Sequence, residues 1–396
     1  MDRVIFHIDV NSAFLSWSAV QLLNRGEKLD IRTVPSVVAG DPNDRRSIVT
    51  AKSIPAKRYG INTAEPVSMA LRKCPGLIVV KGDWEWYKKC SEAFIAICRT
   101  YSPILQQFSV DECFIDMTDR LAGRDPVEVA NRLREDIGAR LGFTVNIGVG
   151  PNKLLAKMAS DFEKPDKVHT LWRDEVETKM WPLPVGDLMW VGRKSVEKLN
   201  AYGISTIGQL AKTQESVLVH LFGRKAAESM HASANGEDDS PVSTEEAEAK
   251  SYSAERTFAS DITDPKALDR ELFNVACIVA HRIRRDHFCG SNVSVFVKSR
   301  EFVTRSKQRT ISIPTDVTAV ILNEARRLIP EVWDGVTPLR QVGLGVSKLT
   351  HDVALTLFED EPYQKYLRGI EASETHKGYF SIDKKSPVSM ETLVPD

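Results

Sequence analysis

VIFHID at residues 4–9 and FSVDECFID at residues 108–116 are the stretches whose reading decides the fold of this chain. Asp9 closes the first apolar run, and the adjacent pair Asp111 and Glu112 sits between two strand-like halves of the second. Any one of these acids alone reads as the cap of a turn. Together they suit two divalent cations, which take hard oxygen ligands and serve phosphoryl-group chemistry.

Working outward, residues 3–9 predict a buried strand, and a helix follows over Ala13–Leu23. Residues 30–75 carry turn signals (GDPND) and a helix-like segment, as an insertion between core elements would. Leu77–Val80 reads as a short strand and Trp84–Tyr101 as a helix, with Ala93, Phe94, Ile97 and Tyr101 at helical spacing. Ile104–Ser109 and Cys113–Met117 form a hairpin whose tip carries Asp111 and Glu112. Neighbours on a regular strand face opposite ways, so the hairpin is expected to twist there. A helix over Pro126–Leu141 has Asp125 as N-cap and Glu128 in a capping-box-like position. Phe143, Val145, Ile147 and Val149 then alternate with Thr144, Asn146 and Gly148 as a strand.

Strand, helix, hairpin, helix, strand is the split βαβ, ferredoxin-like pattern, which lays the first strand beside the hairpin and Asp9 near Asp111 and Glu112. Residues 166–240 read as helical. GEDDSPVSTEEAEAK at 236–250 places six acids before its first base, the mark of a solvated linker. Strand 252–258, helix 265–286, strands 292–299 and 308–314, helix 317–329 and strand 339–347 make a second β-α-β-β-α-β unit. The expected class is α+β and multidomain.

At 396 residues the chain has room for two to four domains, and no apolar run approaches the roughly 20 residues that cross a bilayer. The N-terminal stretch holds Arg3, His7 and Asp9, which excludes a secretory signal. Cys74, Cys90, Cys98, Cys113, Cys277 and Cys289 lack zinc-like spacing and read as reduced, mostly buried thiols of an intracellular protein; a cytoplasmic monomer is the separate expectation. Net charge is −1, yet residues 250–350 carry 16 Lys and Arg against 11 Asp and Glu. A locally basic region suits a polyanion.

Lys52, Lys57 and Arg58 in TAKSIPAKRYG, and Lys153, Lys157 and Lys164 in GPNKLLAKMASDFEKP, are candidate partners for phosphate. Lys153 and Lys157 share one helix face. Phe14 reads either as core or as a floor beneath a nucleotide sugar that rejects a 2′-hydroxyl. KSREFVTRSKQRT puts Lys298, Arg300, Arg305, Lys307 and Arg309 on a hairpin suited to tracking a DNA backbone, and also to defending an exposed edge strand.

HIDVNSAF, FSVDECFID and GVGPNKLLAKMASDFEKP, in this order, resemble the Y-family DNA polymerases, the DinB/UmuC-like translesion enzymes. The resemblance covers roughly residues 1–350. It implies a palm (1–23 and 76–165), small fingers (24–75), a helical thumb (166–240), a linker (241–250) and a little finger (251–350). Asp9, Asp111 and Glu112, with the Val10 carbonyl, are then ligands of two Mg²⁺ ions, replaceable by Mn²⁺. Phe14 falls at the sugar-discriminating position and Lys164 at a triphosphate contact. The partners implied are primer–template DNA and deoxynucleoside triphosphate.

Three departures stand out. Ile54 and Lys57 occupy fingers positions where many members have Tyr and Arg. Asn11 replaces a second Asp and is not counted as a ligand. In DLMWVGRKSVEKLNAYGI, which resembles a helix-hairpin-helix, Trp190 replaces the first hairpin Gly, leaving Val191, Gly192 and Arg193 to grip a phosphate. HDVALTLFED resembles a sliding-clamp peptide anchored by Leu355, Leu357 and Phe358, with Ala354 in place of the usual Gln. From the residues alone, a metal-dependent nuclease and an inactive DNA-binding scaffold stay open beside a polymerase.

Overall fold

The computed structural model describes residues 3–245 and 248–351. The chain divides into two compact units that part at residues 246–247. In the first, β1 (Ile5–Val10) is buried along its whole length because both faces of its sheet are covered. Phe6, Ile8 and Val10 enter the main core; His7 and Asp9 point the other way, as period two requires. Helix α1 (Ala13–Asn24) follows.

The next segment builds a sheet of its own. Strands β2 (Ser36–Ala39) and β3 (Val49–Lys52), helices α2 (Ile54–Lys57) and α3 (Val67–Lys73), and strand β4 (Ile78–Lys81) enclose a small core around Val37, Val49, Ile61 and Val67. The strand expected at 77–80 therefore joins β2 in parallel, in the order β3-β2-β4, and takes no part in the main sheet. Periodicity identifies a strand but not its partner.

Helix α4 (Trp84–Tyr101), strands β5 (Leu105–Gln107) and β6 (Glu112–Asp116), helix α5 (Pro126–Leu141), strand β7 (Val145–Gly150), helix α6 (Lys153–Ser160) and strand β8 (Val168–Thr170) complete the main layer. The sheet order is β5-β6-β1-β7-β8, antiparallel except for β7–β8. Its first four strands are the ferredoxin-like arrangement. Asp83 and Asp125 cap α4 and α5 by accepting the amides of Trp86 and Val127. Phe94 and Ile97 from α4, with Leu133 and Ile137 from α5, fill the core under β1, each worth roughly 1.5–3 kcal/mol of apolar burial. Strand β8 interrupts a stretch expected to be helical; three residues are too few to show alternation.

Helices α7 (Arg193–Ala201), α8 (Ile207–Lys212), α9 (Glu215–Phe222) and α10 (Arg224–Ala234) close around Leu199, Leu210, Leu218 and Ala227. In the second unit, β9 (Ser251–Ile262), α11 (Pro265–Arg285), β10 (Cys289–Ser299), β11 (Thr304–Thr315), α12 (Thr318–Val332) and β12 (Leu339–Thr350) give the expected β-α-β-β-α-β succession. The antiparallel sheet runs β11-β10-β12-β9, and both helices pack on the face that presents Val293, Val295, Val297, Val342, Leu344 and Val346. The architecture is α+β and multidomain. Leu355, Leu357 and Phe358 lie outside the described residues.

Candidate active site

In the β1–β6 ladder Asp9 stands opposite Glu112, so both carboxylates leave the same face of the sheet. Asp111 precedes β6 in a bend, where no pleat turns it away from its neighbour. The Val10 amide donates to the Asp111 carbonyl at 3.0 Å and ties that bend to the end of β1. Ser109 shapes it further: its hydroxyl donates to Asp111 Oδ1 at 2.6 Å, and its oxygen accepts the Asp111 amide at 3.2 Å. The adjacent acids are thus accommodated by ending the strand between them.

Positive charge arrives from α6 and the loop beyond it. A Cβ on Gly148 would stand 1.9 Å from the Ala156 carbonyl oxygen, and one on Gly150 2.8 Å from the Ala156 nitrogen, so glycines let α6 lie directly on β7. Lys157 Nζ then reaches Glu112 Oε2 at 2.8 Å, and Lys153 Nζ reaches Gln106 Oε1 at 3.1 Å. Lys164 pairs with Asp9 and, at 2.8 Å, with Asp161. Among the described residues no three acid, His or Cys side chains converge as a ready metal cage; the lysines sit on the carboxylates instead.

Burial pushes the Asp9 carboxyl up to about 6; Lys164 opposes this, while Glu112 and Asp111 add repulsion. Burial also acts to raise Glu112, but hydrogen bonds from His7 and Lys157 outweigh it and bring that carboxyl down to about 2. For Lys164, burial is outweighed by Asp9 and Asp161, which hold the ammonium above its usual range. Asp9 is thus held up chiefly by its burial, even with a lysine upon it. The donor set is all oxygen, which fits Mg²⁺ or Mn²⁺.

His7 belongs to this site although its residue type alone gave no signal. Burial lowers it to about 4, so it is neutral at pH 7. Glu112 is ionised and can only accept, so His7 Nε2 carries the proton at 3.3 Å and Nδ1 faces the Ser160 hydroxyl at 2.8 Å. The available clue was parity: residues 7 and 9 of a strand share a face.

Phe14 is half-buried against Tyr87, Trp84 and Trp17, with ring centroids 5.0, 5.1 and 5.9 Å away. Lys57 ends α2, exposed, and shares no hydrogen bond or ion pair with the carboxylates among the described residues. Gly192 is the N-cap of α7 and Arg193 its first residue, with Glu197 at 3.5 Å. In the second unit Arg305, Lys307 and Arg309 stand opposite Val297, Val295 and Val293, on the helix-covered side of an exposed strand. Lys307 and Arg309 pair with Glu331 at 3.1 and 3.3 Å, and Arg300 lies 3.8 Å from Asp261. Lys298 faces the open side. The five basic residues share a hairpin but not a face.

Residues 8–161 match the impB/mucB/samB family, residues 249–357 its C-terminal domain, and residues 186–238 the DNA polymerase-iota thumb domain. DNA polymerase IV of Clostridium acetobutylicum is 40% identical over 91% of this chain and 91% of its own length. DNA polymerase IV of Acetivibrio thermocellus is 33% identical over 96% of each chain, and DNA polymerase IV 1 of Bacillus subtilis 33% identical over 92% and 89%. A solved chimera of the Y-family polymerases Dbh and Dpo4 shares the fold, with a TM-score of 0.75 over 89% of this chain and 100% of its own, at 19% identity. The chain belongs to the Y-family of DNA polymerases, on the DinB-like side. It is a DNA-directed DNA polymerase of the translesion type, and DNA is its substrate. The nuclease and scaffold readings fall away. No helix among the described residues is long and apolar enough to cross a membrane.

Proposed function

We propose that this polymerase extends a primer 3′-hydroxyl with template-selected deoxynucleoside triphosphates by a two-cation mechanism, at low fidelity and past damaged templates. The observation that carries this reading is the shared face of Asp9 and Glu112 with Asp111 in the adjoining bend. Asp9, Asp111, Glu112 and the Val10 carbonyl would hold two Mg²⁺ ions, with Mn²⁺ as a substitute. When bound, such ions supply Lewis-acid activation of the primer hydroxyl and charge neutralisation at the leaving pyrophosphate.

The chain's own groups do the rest. Lys164, and Lys57 from the fingers, receive the triphosphate, while Phe14, braced by Tyr87 and Trp84, presses on the sugar and rejects a 2′-hydroxyl. His7 and Lys157 keep Glu112 ionised. Gly192 and Arg193 grip a DNA phosphate at the start of α7, and of the five basic hairpin residues Lys298, on the open face of its sheet, tracks the duplex backbone. Small fingers, a three-stranded sheet with two short helices, inspect the nascent pair loosely. Leu355, Leu357 and Phe358 dock on a sliding clamp.

Primer extension with and without Mg²⁺ tests the site. Asp111→Ala combined with Glu112→Ala should abolish extension and leave DNA binding intact; surviving extension would refute the assignment.

A further inference from the structure

Asn11 and Asn146 form a buried amide pair whose polarity is set by the backbone around it. Asn11 Oδ1 accepts from the Thr144 hydroxyl at 3.0 Å and from the Asp166 amide at 2.9 Å. Asn11 Nδ2 donates to Asn146 Oδ1 at 3.1 Å, an oxygen that also accepts the Lys167 amide at 3.3 Å. Asn146 Nδ2 donates to the carbonyls of Ser160 at 3.0 Å and Glu163 at 2.6 Å. A backbone N–H can only donate and a carbonyl only accept, so neither side-chain amide can be flipped without opposing like poles.

These bonds grip the chain on both sides of Lys164: Ser160 and Glu163 before it, Asp166 and Lys167 after it. Arg134 holds the same segment through Asp166 at 2.7 Å. An aspartate at 11 would keep both accepted bonds but set an oxygen against Asn146 Oδ1. The amide at 11 is thus matched to Asn146. Partial satisfaction of such a buried network is costly.

We infer that Asn11 and Asn146 are positioning residues, a paired-amide clamp that holds Lys164 over the carboxylate site and so sets affinity for nucleoside triphosphate. The inference rests on the reading of Lys164 as a triphosphate contact. Its test compares Asn11→Asp, Asn146→Ala, Lys164→Ala and the Asn11→Asp/Lys164→Ala double variant in steady-state extension at varied deoxynucleotide concentration. Each clamp variant should raise KM for the nucleotide about tenfold, with a much smaller change in kcat, as misplacement of a binding group does. The double variant should be no worse than Lys164→Ala alone. Hydrogen exchange at the Lys167 amide, whose acceptor is Asn146 Oδ1, should quicken in both clamp variants while the melting transition stays cooperative.

Unchanged exchange would overturn the clamp itself. Quickened exchange with KM effects that multiply in the double variant would overturn its action through Lys164. An unaltered KM in Lys164→Ala would instead sink the underlying reading of that lysine, whatever the exchange shows.

Discussion

Asp9 and Glu112 face each other across two strands, yet burial and partners drive their carboxyls to opposite ends of the acid range, about 6 and about 2. The difference lies in donors. Glu112 receives both His7 and Lys157, whereas Asp9, more deeply buried, has Lys164 shared with Asp161.

This asymmetry has a pH signature in chelator-treated protein. Asp9 has a folded value above the roughly 3.9 of an unfolded Asp, so protonation stabilises the fold increasingly as pH falls from about 7 to 4. Glu112 is depressed, so its contribution is complete above about 4.5 and is lost only as pH drops toward 2. Asp9→Asn removes the first term. Denaturant melts should show wild type gaining up to about 3 kcal/mol relative to Asp9→Asn between pH 7 and 4. A constant difference would mean Asp9 is not the carboxyl pushed upward.

Gly148→Ala forces a methyl group into the Ala156 carbonyl, and helix α6 must move. A stability loss of about 1–3 kcal/mol or more is expected, together with a steep fall in extension as Lys157 leaves Glu112. Gly138→Ala, on α5 with its nearest contact at 4.0 Å, is the control and should stabilise by about 0.5–1 kcal/mol. Thermal melts and extension rates measure both.

Phe14→Ala should lower the preference for deoxy- over ribonucleotides by at least about tenfold in kcat/KM, the scale of one lost apolar contact. Competing nucleotide incorporation reads this directly. Unchanged selectivity would leave Phe14 as a member of the aromatic cluster only.

Trp190 has φ +72° and is 74% exposed, so it bears left-handed strain with little burial in return. Trp190→Gly should relieve about 1 kcal/mol net and raise Tm by a few degrees. A lower Tm would show that its edge contact with Phe108, at 6.2 Å, matters more than the strain.

Long amphipathic helices were the most legible part. Trp84–Tyr101 and Pro126–Leu141 appear at the residues that apolar spacing, and for the second also its Asp125 cap, indicate, because a helix encodes its own period. The small sheet of β2, β3 and β4 was not legible as a sheet, since strands of four residues carry too little pattern. His7 and Ser160 escaped notice for another reason. Their roles depend on neighbours 105 and 153 positions away, respectively Glu112 and His7.

The amino-acid order alone determined the longer helices and strands, the class of fold and which acids are chemically plausible, because periodicity and turn chemistry act over a few residues. Tertiary structure decided the rest. The register of β1 on β6 made Asp9 and Glu112 neighbours, two glycines admitted α6 and its lysine, and a pair of amides oriented Lys164. Those outcomes depend on close packing between distant segments, which no local pattern encodes.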